Sequence, residues 1–518
     1  MIKDTAEQKK LSQKTFLETK QNRLVLVICL IIAVIYFVFI TFYFKQGNPV
    51  LFGLLILGEV FHLWQVIGYV QTIWRTDYKA PFTKNFEPDV DILIPVVSEP
   101  VEIVEETVIA AKNMNYSGKI NVYICNDGFV ANKDNWREYE ELAQRQGVTC
   151  ITRQIPGGAK AGNINFTLRS CHSEYFAIFD CDQVPKKNFL KEMMGFFGDP
   201  KMGFVQSPQY YKNYDETFVA GGAWEQQALF FGAILKGKNR LNSVFMCGTN
   251  MVLRREMLNE VGGMCESNIA EDFLTSLFVH EKGWKSTYVP KVLAEGLAPE
   301  DFLSYYKQQY RWARGSLEVI FKYNPLFRKG LTFTQKIQYL SAASYYLSGV
   351  VILIDAMLPL AFLYTGAVPL VTSTMVLAGI FIPYIVLNLF ILQMSCNFTF
   401  TYRALSFSLS SFALQLKAIY AILINQQSKF AVTSKKKLTG NFYNLVTPHF
   451  VYFGVAGLGI VVALMREGVT ASFVTNASWV LIYLATFLPF IVAASPAMQF
   501  KVFRKIGNIF SSKVRTIE

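Results

Sequence analysis

Several short stretches in the middle of this chain hold residue types that do chemistry. Phe179-Asp180-Cys181-Asp182 places two carboxylates at the end of an apolar run. Paired there, they can hold a divalent cation against a diphosphate, because Mg²⁺ and Mn²⁺ favour oxygen ligands and share them with substrate phosphates. An acidic turn after a strand looks the same. Cys125-Asn126-Asp127-Gly128 is a second such place, where Asp127 can accept hydrogen bonds from a base or ribose or simply form an Asx turn. Gly157-Gly158-Ala159-Lys160-Ala161-Gly162-Asn163 is a glycine-rich loop entering a helix, with Lys160 placed to meet phosphate. It lacks the spacing of an ATP-hydrolysing loop. Ala270-Glu271-Asp272 opens an amphipathic helix, where a carboxylate can take a proton from an attacking hydroxyl or cap the helix dipole. In Gln308-Gln309-Tyr310-Arg311-Trp312, residues 308, 311 and 312 share a helical face. Trp312 can stack on a sugar ring and Arg311 can pair with a diphosphate; anchoring an interface helix is the plainer use of that Trp.

These stretches need a scaffold that brings strand ends together. Val90-Asp91-Ile92-Leu93-Ile94-Pro95 reads as a buried strand, followed by a helix from Val101 to Met114 with Pro100 at its start. Ile120 to Cys125, Val148 to Thr152 and Tyr175 to Phe179 read as further strands. Continuous apolar strands between helices imply a parallel sheet covered on both faces, and such sheets bind ligands at the carboxyl ends of their strands. No GxGxxG follows the first strand, which disfavours a nicotinamide or flavin site.

The ends of the chain are different. The sequence is 52% hydrophobic and only 17% charged over 518 residues, and the apolar residues gather outside the central region. Leu24 to Phe44 and Pro49 to Trp74 are each long enough to span a hydrocarbon core of about 30 Å. Leu340 to Tyr364, Val371 to Met394, Pro448 to Met465 and Trp479 to Ala497 read as further spans, and Phe412 to Ile424 as a helix lying in the interface. Glu59, inside the second span, faces other helices. The expected plan is an N-terminus over residues 1–22, two membrane helices over 23–76, a cytoplasmic α/β domain over 77–324, interface helices and four membrane helices over 325–497, and a tail over 498–518. The net charge of +12 sits largely beside the spans, at Lys9, Lys10, Lys14, Lys20 and Arg23, at Lys435 to Lys437, and after residue 500. The positive-inside rule then puts both termini and the α/β domain in the cytoplasm, and nucleic acid is not among the expected partners. The first apolar run is too long for a cleavable signal. The eight cysteines show no CxxC pair and suit a reducing compartment; the four scattered histidines argue against a zinc site.

Taken together and in order, Asp127, Asp180/Asp182, Asp272 and Gln308-xx-Arg311-Trp312 resemble the D, DxD, D, QxxRW signature of processive family-2 glycosyltransferases, the superfamily of cellulose and hyaluronan synthases. Val205-Gln206-Ser207-Pro208, Phe245-Met246-Cys247-Gly248-Thr249, Gly296-Leu297-Ala298-Pro299-Glu300 and Phe430-Ala431-Val432-Thr433-Ser434-Lys435 are similar to stretches of bacterial cellulose synthase catalytic subunits. The resemblance implies a glycosyltransferase-A-type, Rossmann-like domain inserted in an all-α bundle of about six membrane helices. It implies an inverting transfer from a UDP-sugar, with UDP-glucose and a cellulose-like or capsular β-glucan favoured over hyaluronan or poly-N-acetylglucosamine. A polytopic transporter with a regulatory domain is the reading from another class. By the resemblance, Asp91 and Asp127 hold uridine. Asp180 and Asp182 hold UDP and Mg²⁺ or Mn²⁺, with Asp182 the direct ligand. Lys160, Gln308 and Arg311 serve the donor, and Asp272, beside Glu271, is the general base. Trp312, Phe245, Cys247 and Gly248 form the acceptor end of a channel, for whose lining Tyr345, Tyr346 and Ser348 are candidates; Asp355 is another candidate or is paired within the bundle. The growing polysaccharide and the bilayer are the implied partners; a second copy or an accessory export subunit stays open. Asn126, Ala270 and Val97-Ser98-Glu99 depart from the usual pattern without removing a signature carboxylate. The short tail leaves no room for a cyclic-di-GMP-binding domain, so none is expected.

Overall fold

The computed structural model describes residues 6–426 and 440–495. The Phe430 to Lys435 motif, Lys436, Lys437 and the basic tail lie outside the described residues.

The central domain is built on a seven-stranded sheet. Its strands are β1 (Val90–Val96), β2 (Ile120–Asn126), β3 (Thr149–Thr152), β4 (Tyr175–Ile178), β5 (Met202–Gln206), β6 (Met251–Arg254) and β7 (Lys285–Tyr288), in the order β7-β5-β6-β4-β1-β2-β3. The four strands expected from their apolar runs form the parallel half, with β1 pairing β2 and β4, and β2 pairing β3. The other half is mixed: β6 runs antiparallel to both β4 and β5, so the sheet is not the all-parallel one expected. Strand β1 is an inner strand, paired on both edges by β4 and β2, and its side chains are buried apart from the half-buried Pro95, as a strand covered on both faces requires. A three-stranded ribbon of Val184–Pro185, Ala294–Gly296 and Tyr210–Tyr211 lies beside it.

Among the described residues seven helices are long and apolar enough to cross a membrane, one more than the sequence count. Six match the expected spans. The addition is Tyr402–Leu423, which contains the stretch expected in the interface. It is broken at Ser411, and its halves pack on Phe302–Tyr323, Ser348–Thr365 and Ala471–Ala493. Phe302 meets Phe490 edge-on at 4.8 Å and Tyr305 meets Phe407 at 5.2 Å, so the helix bearing the Gln-Arg-Trp motif is locked to the membrane bundle. The third span begins as Phe333–Ser344, passes a tight turn at Tyr345–Leu347 and continues as Ser348–Thr365.

The first helix, Ala6–Leu17, folds back onto the central domain. Phe16 is buried among Tyr210, Trp224 and Phe231, and Gln13 Nε2 donates to Glu295 Oε1 at 2.6 Å.

Candidate active site

The site forms where the parallel strands end. Asp127 follows β2 directly, Arg153 follows β3, and Asp180 and Asp182 stand just past β4. The turns after β2 and β4, the starts of two helices and the helix Phe302–Tyr323 line a polar cavity of about 320 Å³. Asp127, Lys160, Asp180, Asp182, Gly248, Glu271, Asp272, Gln308, Arg311 and Trp312 all face it. Residues some 185 positions apart in sequence therefore converge, as the signature implied. Val97 and Glu99 line it too, where Glu99 Oε2 accepts from the backbone N–H groups of Val97 and Ser98 at 2.7 and 3.0 Å.

Asp91 does not belong to it. It is the second residue of β1, at the opposite end of the strand from the cavity, and is 0% exposed. Its oxygens accept from Asn121 Nδ2 at 2.9 Å, Ser173 Oγ at 2.7 Å and the Ser173 N–H at 2.9 Å, and Arg255 lies 3.3 Å away. The expectation that Asp91 holds uridine is corrected: a carboxylate fully spent on structural donors cannot reach a ligand at the other end of the sheet.

Lys160 stands at the first turn of the helix Ala159–Leu168. Its ammonium donates to Asp180 Oδ1 and, at 2.8 Å, to the Gly248 carbonyl. Burial alone lowers its pKa, but Asp180, Glu271 and Asp272 outweigh burial and hold it above the usual lysine value. Asp180 is anchored through its N–H, which donates to Thr249 Oγ1 at 2.8 Å. Gly248 has φ +79°, and a Cβ there would stand 3.1 Å from Asp272 Oδ2, so the site depends on that glycine.

Glu271 and Asp272 open the helix Glu271–Glu281, where the helix dipole favours anions. Asp272 Oδ1 accepts from the Phe273 N–H at 2.8 Å. Burial and then the Glu271 charge push the Asp272 carboxyl up to about 7, against the pull of the Phe273 N–H, Lys160 and Arg311. Cys247 beside it is a neutral thiol, driven well above its ordinary value by burial and by Asp272.

A second cavity of about 530 Å³ adjoins the first. Gln209, Cys247, Ala270, Asp272 and Trp312 line both. From that shared wall it runs past Phe230, Phe245 and Phe273 to Gln65, Tyr69, Tyr345, Tyr346 and Asn388 on membrane-span helices. Phe245 packs edge-on against Phe273 at 4.8 Å. Of the four expected channel residues, Tyr345 and Tyr346 line this cavity. Ser348 instead donates to Gln415 Oε1 at 3.0 Å, and Asp355 Oδ2 lies 3.4 Å from His62 Nε2, so neither reaches the wall.

Arg153 and Gln209 were not singled out in the sequence. An arginine after a short strand and a lone glutamine carry no spacing signature. Only the fold brings Arg153 onto Asp127, and Gln209 onto the Cys247 carbonyl at 2.7 Å.

This arrangement is that of a glycosyltransferase-A-type domain. The fold matches that of a solved mannosyltransferase from Pyrobaculum calidifontis, crystallised with GDP-mannose and Mn²⁺, with a TM-score of 0.51 and 17% identity over 73% of this chain and 100% of that one. The family described as glycosyl transferase family group 2 matches residues 175–422. It is 35% identical over 294 residues to a UDP-forming cellulose synthase catalytic subunit of Xanthomonas axonopodis pv. citri, covering 55% of this chain and 40% of the relative. It is 34% identical over 333 residues to the Pseudomonas fluorescens protein of the same description, covering 62% of this chain and 44% of the relative. The chain thus spans under half the length of these curated relatives.

Proposed function

We propose that this multi-pass membrane protein is a processive, inverting glycosyltransferase that builds a β-glucan from UDP-glucose and passes the product into its own membrane bundle. The observation that carries the reading is the wall shared by the two cavities. A polar cavity with carboxylates at strand ends suits a nucleotide-sugar, and an aromatic-lined cavity leading between membrane helices suits a sugar polymer. Asp272 and Trp312 stand at the junction, where a transfer has to occur. UDP-glucose is inferred from the relatives' description as UDP-forming cellulose synthases, since cellulose is a polymer of glucose and UDP is the product released.

In this reading Asp127 meets the uridine, and Lys160 and Arg311 steady the diphosphate. Asp272 removes the proton from the acceptor hydroxyl, which attacks the anomeric carbon as the bond to UDP breaks. Trp312 floors the acceptor sugar. Asp180 and Asp182 would hold Mg²⁺ or Mn²⁺, which when bound neutralises charge developing on the leaving UDP. The donor set fits: two carboxylates supply the hard oxygen ligands such cations take, and substrate phosphate and water would supply the rest. The domain bounds 77–324 and the cytoplasmic placement of both termini belong to the same proposal.

The test is to offer the purified protein, with Mg²⁺ or Mn²⁺, UDP-glucose, UDP-N-acetylglucosamine and UDP-glucuronate singly and mixed. Polymer from UDP-glucose alone is expected. Polymer only from the mixture of the other two would move the assignment to hyaluronan. UDP release without any polymer would contradict a single-chain polymerase.

A further inference from the structure

Arg153 is about 5% exposed, and the side-chain contacts of its guanidinium go to two loops of the polar cavity. Nε and Nη2 donate to the two oxygens of Asp127 at 2.7 and 2.6 Å, a fork-on-fork pair. Nη1 donates to the Gly157 carbonyl, and Nη2 also reaches the Ala159 carbonyl at 3.4 Å. Those carbonyls belong to the glycine-rich loop that ends at Lys160.

The backbone of that loop is unusual. Gly157, Gly158 and Ala159 have φ of +142°, +63° and +45°. Glycine adopts such angles freely, whereas in alanine the Cβ there crowds the backbone carbonyl oxygen. A residue held in this region persists only where its surroundings over-determine it. Ala159 is the residue immediately before Lys160, so its conformation decides where the ammonium points. The loop is held by Arg153, by the Gly162 N–H, which donates to the Gly158 carbonyl at 2.8 Å, and by Glu266 packed against Gly158, and the lack of a side chain at Gly162 lets the helix seat on the Gly157 carbonyl.

We infer that Arg153 is a positioning residue for the donor nucleotide. It fastens Asp127, at the base and ribose end, to the strained loop that aims Lys160 at the diphosphate, and so sets the distance between the two ends of the ligand. The inference rests on reading this cavity as a nucleotide-sugar site.

The test uses the full chain in detergent with Mg²⁺, UDP and UDP-glucose. Arg153→Gln and Arg153→Lys are compared with the unaltered protein, each with and without Ala159→Gly. UDP affinity is measured by calorimetry, KM and kcat by UDP release, and stability by thermal unfolding. Arg153→Gln is expected to weaken UDP binding and raise KM together by about 10- to 100-fold, with a much smaller change in kcat. Arg153→Lys keeps the charge but not the fork, so it should fall between. Ala159→Gly should recover part of the loss in either background, because glycine holds the loop angle without the clamp. A variant with lowered thermal stability but unchanged UDP affinity and KM would reduce Arg153 to a structural role and overturn the inference, as would the absence of any recovery from Ala159→Gly. If the unaltered protein binds no UDP, the nucleotide reading itself falls. If it binds UDP and both Arg153 variants bind it equally well, the clamp alone falls.

Discussion

Asp272 is drawn in opposite directions. Burial and Glu271 favour its neutral form, while Lys160 and Arg311 favour the carboxylate, and the balance leaves it near 7, not in the usual carboxylate range. A base is active only when deprotonated, so the sign is fixed: kcat/KM should fall as pH drops through about 7 and level off above it, since kcat/KM reports the free enzyme's titration. Asp272→Asn should lose about 10²- to 10⁴-fold in rate and abolish that acid limb, while UDP affinity stays near that of the unaltered protein. A mutant that keeps the acid limb would place the titrating group elsewhere. Most of these residues were legible because the chemistry demands particular types at strand ends and helix starts. Asp91 misled because an aspartate at the start of a buried strand reads like one at its end; only the partners Ser173, Asn121 and Arg255 tell them apart. Arg153 was invisible because its role depends on a neighbour, Asp127, on a different strand.

At the level of elements, the turns after β2, β3 and β4 and the first turns of Ala159–Leu168 and Glu271–Glu281 carry nearly all the polar chemistry. The close seating of one helix on its own loop is exacting. A Cβ at Gly162 would fall 2.2 Å from the Gly157 carbonyl, a backbone atom that cannot swing aside. Gly162→Ala should therefore cost about 1–3 kcal/mol and displace Lys160. Thermal unfolding and UDP affinity should both drop; a variant matching the parent in both would show that the loop relaxes freely. Strands β1, β2, β3 and β4 could be read from their continuous apolar runs. The other half of the sheet could not, because β6 owes its antiparallel place to pairing with β4 and β5, which no local pattern encodes. The second half of Tyr402–Leu423 was legible as the helix from Phe412, whereas the first half, with Arg403 and three serines, carries no apolar run and shows itself only through its packing on Ala471–Ala493.

Across the whole molecule, the polar cavity and the membrane-side cavity meet at Asp272 and Trp312, so in the proposed function the site of transfer is also the entrance to the bundle. Beyond that cavity the bundle holds charges of its own. His62 lies between Glu59 at 3.6 Å and Asp355 at 3.4 Å, and Tyr36 donates to Glu59 at 2.7 Å. Ionisable groups are costly in a membrane span unless paired, and this pairing ties three spans into one wall. The hydropathy of the chain announced the spans, but not which faces line an opening, because Tyr345 and Asp355 sit in equally apolar surroundings. The most direct measurement uses sealed vesicles with the catalytic domain outside. UDP-glucose and Mg²⁺ are added, then a β-glucanase, and the surviving polymer is weighed against vesicles opened with detergent first. The account predicts polymer that resists the enzyme until the membrane is opened, because each sugar added at Asp272 enters the bundle. Polymer fully digested outside intact vesicles would contradict the claim that synthesis and export share one path.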